Sequence, residues 1–143
     1  MKGRKKVVDP KYAKSGEYRK VIETIKKQGK CPFCPDNFKY HKHPILKRHG
    51  RWFLTKISWP YKNNKFHFII IGDKHRENIS ELTAIDMKNI LFLVKWAVAE
   101  FKIKGGAMAM RFGETSYTGA TVCHLHAHLI VPLKGKTVNF PIG

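Results

Sequence analysis

No apolar run in this 143-residue chain is long and uninterrupted enough to cross a bilayer. The best candidates, "FHFIII" and "ILFLVKWAVA", are too short or are broken by a lysine, so no membrane partner is expected. The N-terminus "MKGRKKVVDPKY" has charge but no apolar segment behind it, so it does not read as a secretory signal, and a cytoplasmic location is expected. Cysteines are few and odd in number, three in all, which argues against a disulfide framework. Internal repeats are absent. Acidic residues are scarce, ten against 28 Lys and Arg, for a formal net charge of +18. The imbalance is greatest in residues 1–72, where 19 basic residues face four acids. Such a half attracts polyanions, whether nucleotide, nucleic acid or acidic surface, although lysine used as generic surface would look the same.

What is present fits a single globular domain. Length and apolar content suffice for a packed core. Residues 1–14 are basic and aperiodic and are expected to form a flexible arm, with one domain over 15–143. In "SGEYRKVIETIKKQGK", Tyr18, Val21, Ile22 and Ile25 form a helical stripe, Ser15 is a candidate cap and Gly29 a stop. "PILKRHGRWFLTKI" predicts a hairpin about His49-Gly50, with strands near 44–48 and 51–57. "FHFIIIGDKH" predicts a third strand ending at Gly72. The longest helix is expected over 80–103, capped by Ser80 and stopped near Gly105. "AMAMRFG" predicts a fourth strand, and "VCHLHAHLIVP" a fifth after a Gly/Ser/Thr-rich loop. This order of elements predicts an α+β fold: an antiparallel sheet of about five strands with an N-terminal helix and a long helix.

The last strand carries the chemistry. Alternation places His124, His126 and His128 on one face, about 6–7 Å apart, with Leu125, Ala127, Leu129 and Val131 on the other. Three unpaired ionisable groups on one face of a core strand would be costly without a role. A metal site made by the three imidazoles themselves is one such role. Nucleophilic or acid–base chemistry is another.

"HLHAHLI" resembles the motif of the histidine triad (HIT) family, His-φ-His-φ-His-φ-φ with φ apolar. It is preceded by Gly119 and Thr121 in "GATV", and "FHFIIIGDKH" is similar to an earlier family strand whose histidine, here His67, joins the site. The likeness covers about residues 31–132. It implies a HIT-like α+β fold and hydrolysis or transfer at a nucleotidyl bond. His126 would attack the α-phosphorus and form a nucleotidyl-histidine intermediate. The carbonyl of His124 would fix its tautomer, and His128 and His67 would flank the phosphate. Gly119, Ala120 and Thr121 would contact the substrate. The family includes nucleoside phosphoramidases, dinucleoside polyphosphate hydrolases, the aprataxin DNA deadenylases and the uridylyltransferases.

"CPFC" places Cys31 and Cys34 at metal-ligand spacing, with a thioredoxin-like redox pair as the other reading. Spacing does not choose the remaining ligands. The resemblance implies His75 in "GDKH" and His124, closing a structural zinc site. Cys123 reads as a small buried hydrophobe. His41, His43 and His49 read as surface residues, and Trp52, Phe53, Trp59 and Tyr61 mostly as packing.

Two positions depart from the family pattern. Ala120 stands where many members have Gln. Lys56 stands where an acid or Asn binds ribose, and a lysine cannot accept a hydrogen bond from a hydroxyl; it would meet a phosphate instead. The basic N-terminal half motivates a second expectation, aprataxin-like removal of AMP from nucleic-acid ends. A third is a nucleotide- or nucleic-acid-binding zinc module without catalysis. Family members are often homodimers, and a homodimer is expected here.

Overall fold

The computed structural model describes residues 6–13 and 15–143. Five strands, β1 (Ile45–His49), β2 (Trp52–Lys56), β3 (Asn64–Gly72), β4 (Ala107–Ala109) and β5 (His126–Pro132), form one sheet in the order β1-β2-β3-β5-β4. Every pairing is antiparallel. Three helices accompany it: α1 (Gly16–Gln28), α2 (Ala84–Glu100) and the short α3 (Thr115–Thr118). The architecture is α+β, as the order of elements predicts.

The two sheet faces differ because strand side chains alternate. On one face Trp52, Leu54, Phe68, Ile70, Ala127 and Leu129 pack against Ile90, Leu93, Val94 and Ala97 of α2. Leu93 is fully buried, and truncating such a residue to Ala costs about 2–5 kcal/mol. The other face carries Phe53, Ile69 and Ile71, covered by Phe33 and Phe38 from the segment after α1. The β3–β5 register pairs Ile69 with His128 and Ile71 with His126, so both histidines stand on this second face. A third cluster joins Val7, Val8 and Ala13 to Ile22 and Ile25 of α1 and to Cys31 and Val122.

Helix α1 starts at Ser15, whose hydroxyl accepts from Tyr18 N–H, and ends at Gly29 in the left-handed conformation (φ 71°). Helix α2 is shorter than the expected 80–103. Asn78 caps a 3-10 turn over Ile79–Glu81, and α2 begins only after Thr83. Ser80 lies inside that turn and caps nothing. Thr83 is the stronger start because it and Asp86 form a reciprocal capping box, and Asp86 is also held by Arg76 and Trp52.

Strand β5 begins at His126, four residues later than the sequence suggests. The segment before it bonds elsewhere: Cys123 N–H donates to Val7, Leu125 N–H to Arg76, and Val122 bridges Val8. The same bridge corrects the expectation of a flexible arm over residues 1–14. Val8 is buried, and Asp9 N–H donates to the Thr121 carbonyl. Two adjacent valines give residues 6–13 apolar surface to bury, and the open backbone of 121–123 gives them partners. The rest of that arm, residues 1–5 and 14, lies outside the described residues. No described helix is long and apolar enough to cross a membrane.

Candidate active site and metal centre

The loop after α1, the segment beyond β3 and the segment before β5 bring four candidate ligands together. Cys31 Sγ lies 3.3 Å from His124 Nδ1, and Cys34 Sγ lies 3.5 Å from His75 Nδ1 and 3.7 Å from His124 Nδ1. All four ligand atoms fall within 4.8 Å of one another. Ligands at zinc bond lengths in a tetrahedron are separated by roughly 3.3–3.8 Å. The outer ring nitrogens fit as well. His124 Nε2 donates to the Gly72 carbonyl at 2.7 Å, and His75 Nε2 faces the Glu77 carboxylate at 3.2 Å. Each imidazole then turns a lone pair on Nδ1 inward, the arrangement seen when a second partner orients a metal ligand. Burial pushes the Cys31 thiol up to about 12 and raises Cys34 too. Thiolates here therefore need a cation, and the donor set fits a closed four-coordinate metal. Cys123 is buried and stands outside this cluster.

Beside the metal cluster, the second sheet face opens into a cavity of about 320 Å³. Its floor holds His126 and His128, and its walls come from α1, the 57–61 loop, Arg111, Gly119 and Thr121. His126 Nδ1 donates to the His124 carbonyl at 2.6 Å. Nε2 of that ring makes no hydrogen bond to a described residue, so its lone pair is open. A second chain of bonds fixes the neighbouring rings. Tyr61 N–H donates to His67 Nδ1 at 3.3 Å, which puts the His67 proton on Nε2. That proton is donated to His128 Nδ1 at 2.8 Å, which puts the His128 proton on Nε2. His128 Nε2 is buried and has no partner among the described residues. The two triad rings thus present a bare acceptor on His126 and an unused donor on His128. The two ring centroids are 5.0 Å apart. Phe33, between the two cysteines, meets the His126 ring edge to face at 5.0 Å. The loop that carries the cysteines therefore also braces the His126 ring.

Burial keeps these imidazoles neutral. It lowers His67, His124 and His126 to about 4 and His128 well below its ordinary value. An imidazole neutral at pH 7 keeps its lone pair for attack.

Gly119 and Thr121 line the cavity. Ala120 is buried and does not. Lys56, expected at the substrate, is exposed and stands away from the cavity. Its partner across the ladder is Phe68, whose side chain belongs to the α2 face, so alternation turns Lys56 from the histidines. His41 was expected on the surface but lines the cavity, half-buried and stacked on Phe38 at 4.7 Å. The Thr55 hydroxyl donates to the Pro44 carbonyl and so accepts from His41 Nε2 at 2.8 Å. His41 Nδ1 then accepts the Ser58 proton at 3.2 Å, and Ser58 Oγ accepts from Lys42 N–H. Ser58 lines the cavity and keeps one hydroxyl lone pair unused by these bonds. His43 is exposed and His49 stacks on Phe92. Of the four aromatics, Trp52 and Phe53 are core, whereas Trp59 and Tyr61 line the cavity. Sequence reasoning did not reach His41, Ser58 or Arg111. Serine and threonine flanking a strand that leads into a turn were the only signal for the first two.

No family model matches the sequence, and no curated protein matches it. Solved structures do. A histidine triad nucleotide-binding protein from Candida albicans superposes with a TM-score of 0.63 at 20% identity, covering 80% of this chain and 82% of that one. A zinc-bound histidine triad family protein from Mycobacterium smegmatis gives 0.60 at 16% identity, covering 79% and 82%. A HIT family hydrolase from Clostridium thermocellum gives 0.56 at 24% identity, covering 75% and 94%. The chain therefore has the fold of the histidine triad proteins, and it sets His124, His126 and His128 where β5 begins.

Proposed function

We propose that the protein is a HIT-family nucleotidyl hydrolase or transferase that works through a covalent intermediate on His126. The observation that carries this reading is the open Nε2 of His126, its Nδ1 proton held by the His124 carbonyl. Nε2 attacks the α-phosphorus of a nucleotidyl substrate. A phosphorus–nitrogen bond forms, the bond to the leaving group breaks, and the leaving atom departs with the electron pair. The donor on His128 Nε2, aligned through His67, lies beside the attacking ring and hydrogen-bonds a phosphate oxygen or the departing atom. Water then displaces His126 and releases the nucleoside monophosphate. A cavity of about 320 Å³ lies at the lower end of small-ligand sites. Tyr18 and Trp59, stacked at 4.7 Å, give it an aromatic wall suited to a base.

Zinc is the metal that the Cys2His2 set favours. In this reading it is structural: all four positions are protein ligands, and His124 links it to the ring that reacts. The surplus of basic residues in 1–72 supports polyanionic substrates, nucleic-acid ends included. The exposed Ile85, Met87, Leu91 and Phe92 of α2 give a second copy an apolar surface.

The test is incubation with adenylated and guanylated amidates, anhydrides and nucleic-acid ends, followed by intact-protein mass spectrometry. A nucleotide adduct is expected on His126. His126→Asn should abolish it and lower turnover by at least about 10⁴-fold. Turnover that survives His126→Asn would overturn the assignment.

A further inference from the structure

Among the described residues that line the cavity, Arg111 alone is a permanent cation. The remaining lining is apolar side chains, aromatic rings, hydroxyls and imidazoles. An anionic phosphate entering such a pocket would lose its hydration with little charge to replace it. Arg111 is also held in place. Its Nε donates to the Pro141 carbonyl at 2.9 Å, and its Nη2 donates to that carbonyl and, at 3.2 Å, to the Tyr61 hydroxyl. The guanidinium lies 4.0 Å over the Phe140 ring. Phe140 in turn packs 5.0 Å from His128, and Tyr61 stacks on His128 at 6.2 Å. These contacts fix the guanidinium beside the triad and leave its Nη1 edge without a hydrogen bond to a described residue.

We propose that Arg111 is a catalytic residue of this site. Its Nη1 edge binds a non-bridging oxygen of the phosphate held by His126 and His128, and the Phe140–Pro141 segment braces it for that contact. The proposal rests on the nucleotidyl-transfer reading and adds the cation that reading lacks. A guanidinium anchored before the substrate arrives stabilises the charge on the phosphoryl group with little reorganisation. It also restricts substrates to those anionic at the phosphorus under attack.

Calorimetry on the full chain in zinc-containing buffer, with AMP and with adenosine, tests this directly. The wild type should bind AMP at least about tenfold more tightly than adenosine, the worth of one charge-assisted hydrogen bond. Arg111→Gln should bring AMP to the adenosine level and leave adenosine unchanged, which also shows that the pocket is intact. Arg111→Lys should restore part of the difference. In single turnover, Arg111→Gln should slow nucleotidylation of His126 by about 10²–10³-fold. Equal binding of AMP and adenosine by the wild type, or an unchanged ratio in Arg111→Gln, overturns the role of Arg111. Nucleotidylation of His126 would stand in either case. If the wild type binds neither ligand and forms no adduct, both readings fall.

Discussion

At the scale of single residues, the site works by assigning protons. Backbone groups decide the tautomers of the triad and of His67: the Gly72 carbonyl for His124, the His124 carbonyl for His126, and the Tyr61 amide for His67 and through it His128. The same logic gives Ser58 its part. Its proton is taken by His41, so it faces the cavity as an acceptor, which is what a ribose hydroxyl requires and what Lys56 cannot supply. Ser58→Ala should therefore raise KM about tenfold for a ribonucleotide substrate, with kcat within about twofold. The 2′,3′-dideoxy analogue should be unaffected. Steady-state kinetics on the two substrates checks it, and an equal rise for both would remove Ser58 from sugar recognition. The triad and the C-x-x-C could be read from local spacing, and His67 only through the family resemblance. His41, Ser58 and Arg111 could not, because each acquires its role from segments distant in sequence, Arg111 from Tyr61 and from Phe140 and Pro141 thirty residues on.

At the scale of elements, boundaries follow competition for partners. The alternating pattern of "VCHLHAHLIVP" was legible as a strand, yet residues 122–125 leave the ladder because Val7, Val8 and Arg76 take their backbone bonds. The start of α2 shows the same thing. Asp86 is a buried hub that accepts from Arg76 at 2.8 and 3.0 Å, from Trp52 Nε1 at 3.0 Å, and from Thr83 through both its backbone and its hydroxyl. It ties α2 to β2 and to the turn that carries His75. A helix pattern alone shows none of these partners, so Ser80 looked as good a cap as Thr83. Asp86→Asn leaves Arg76 charged and buried without its partner and should cost about 3 kcal/mol, read as a lower denaturant midpoint. The Arg76 guanidinium holds the Asp86 carboxyl well below its ordinary 3.8 despite burial, with Thr83 and Trp52 assisting. A depressed carboxyl contributes stability that is complete above its unfolded value and is lost as pH falls through its folded value. The wild type should accordingly lose stability below about pH 4. Asp86→Asn should show a shallower loss over that interval in denaturant titrations, and equal slopes would deny Asp86 the role.

For the molecule as a whole, the cluster of Cys31, Cys34, His75 and His124 is the joint where separate parts meet. Its ligands come from the loop after α1, from beyond β3 and from just before β5, over 90 residues apart at the extremes. The sheet does not hold these segments together, since His124 and its neighbours lie outside the β3–β5 ladder. Phe33 and the His124 carbonyl both meet the His126 ring, so the joint and that ring share their supports. Loss of the metal should then act in two stages. Cys34→Ser, or a strong chelator, should lower stability by about 4 kcal/mol and Tm by on the order of 10 °C. Nucleotidylation of His126 should fail at temperatures where the sheet is still folded, because the core between α2 and the sheet shares no residue with the cluster. Circular dichroism and adduct formation followed over one temperature series separate the stages. If both are lost together, the cluster supports the whole fold rather than the position of His126. If neither changes, the four residues hold no metal.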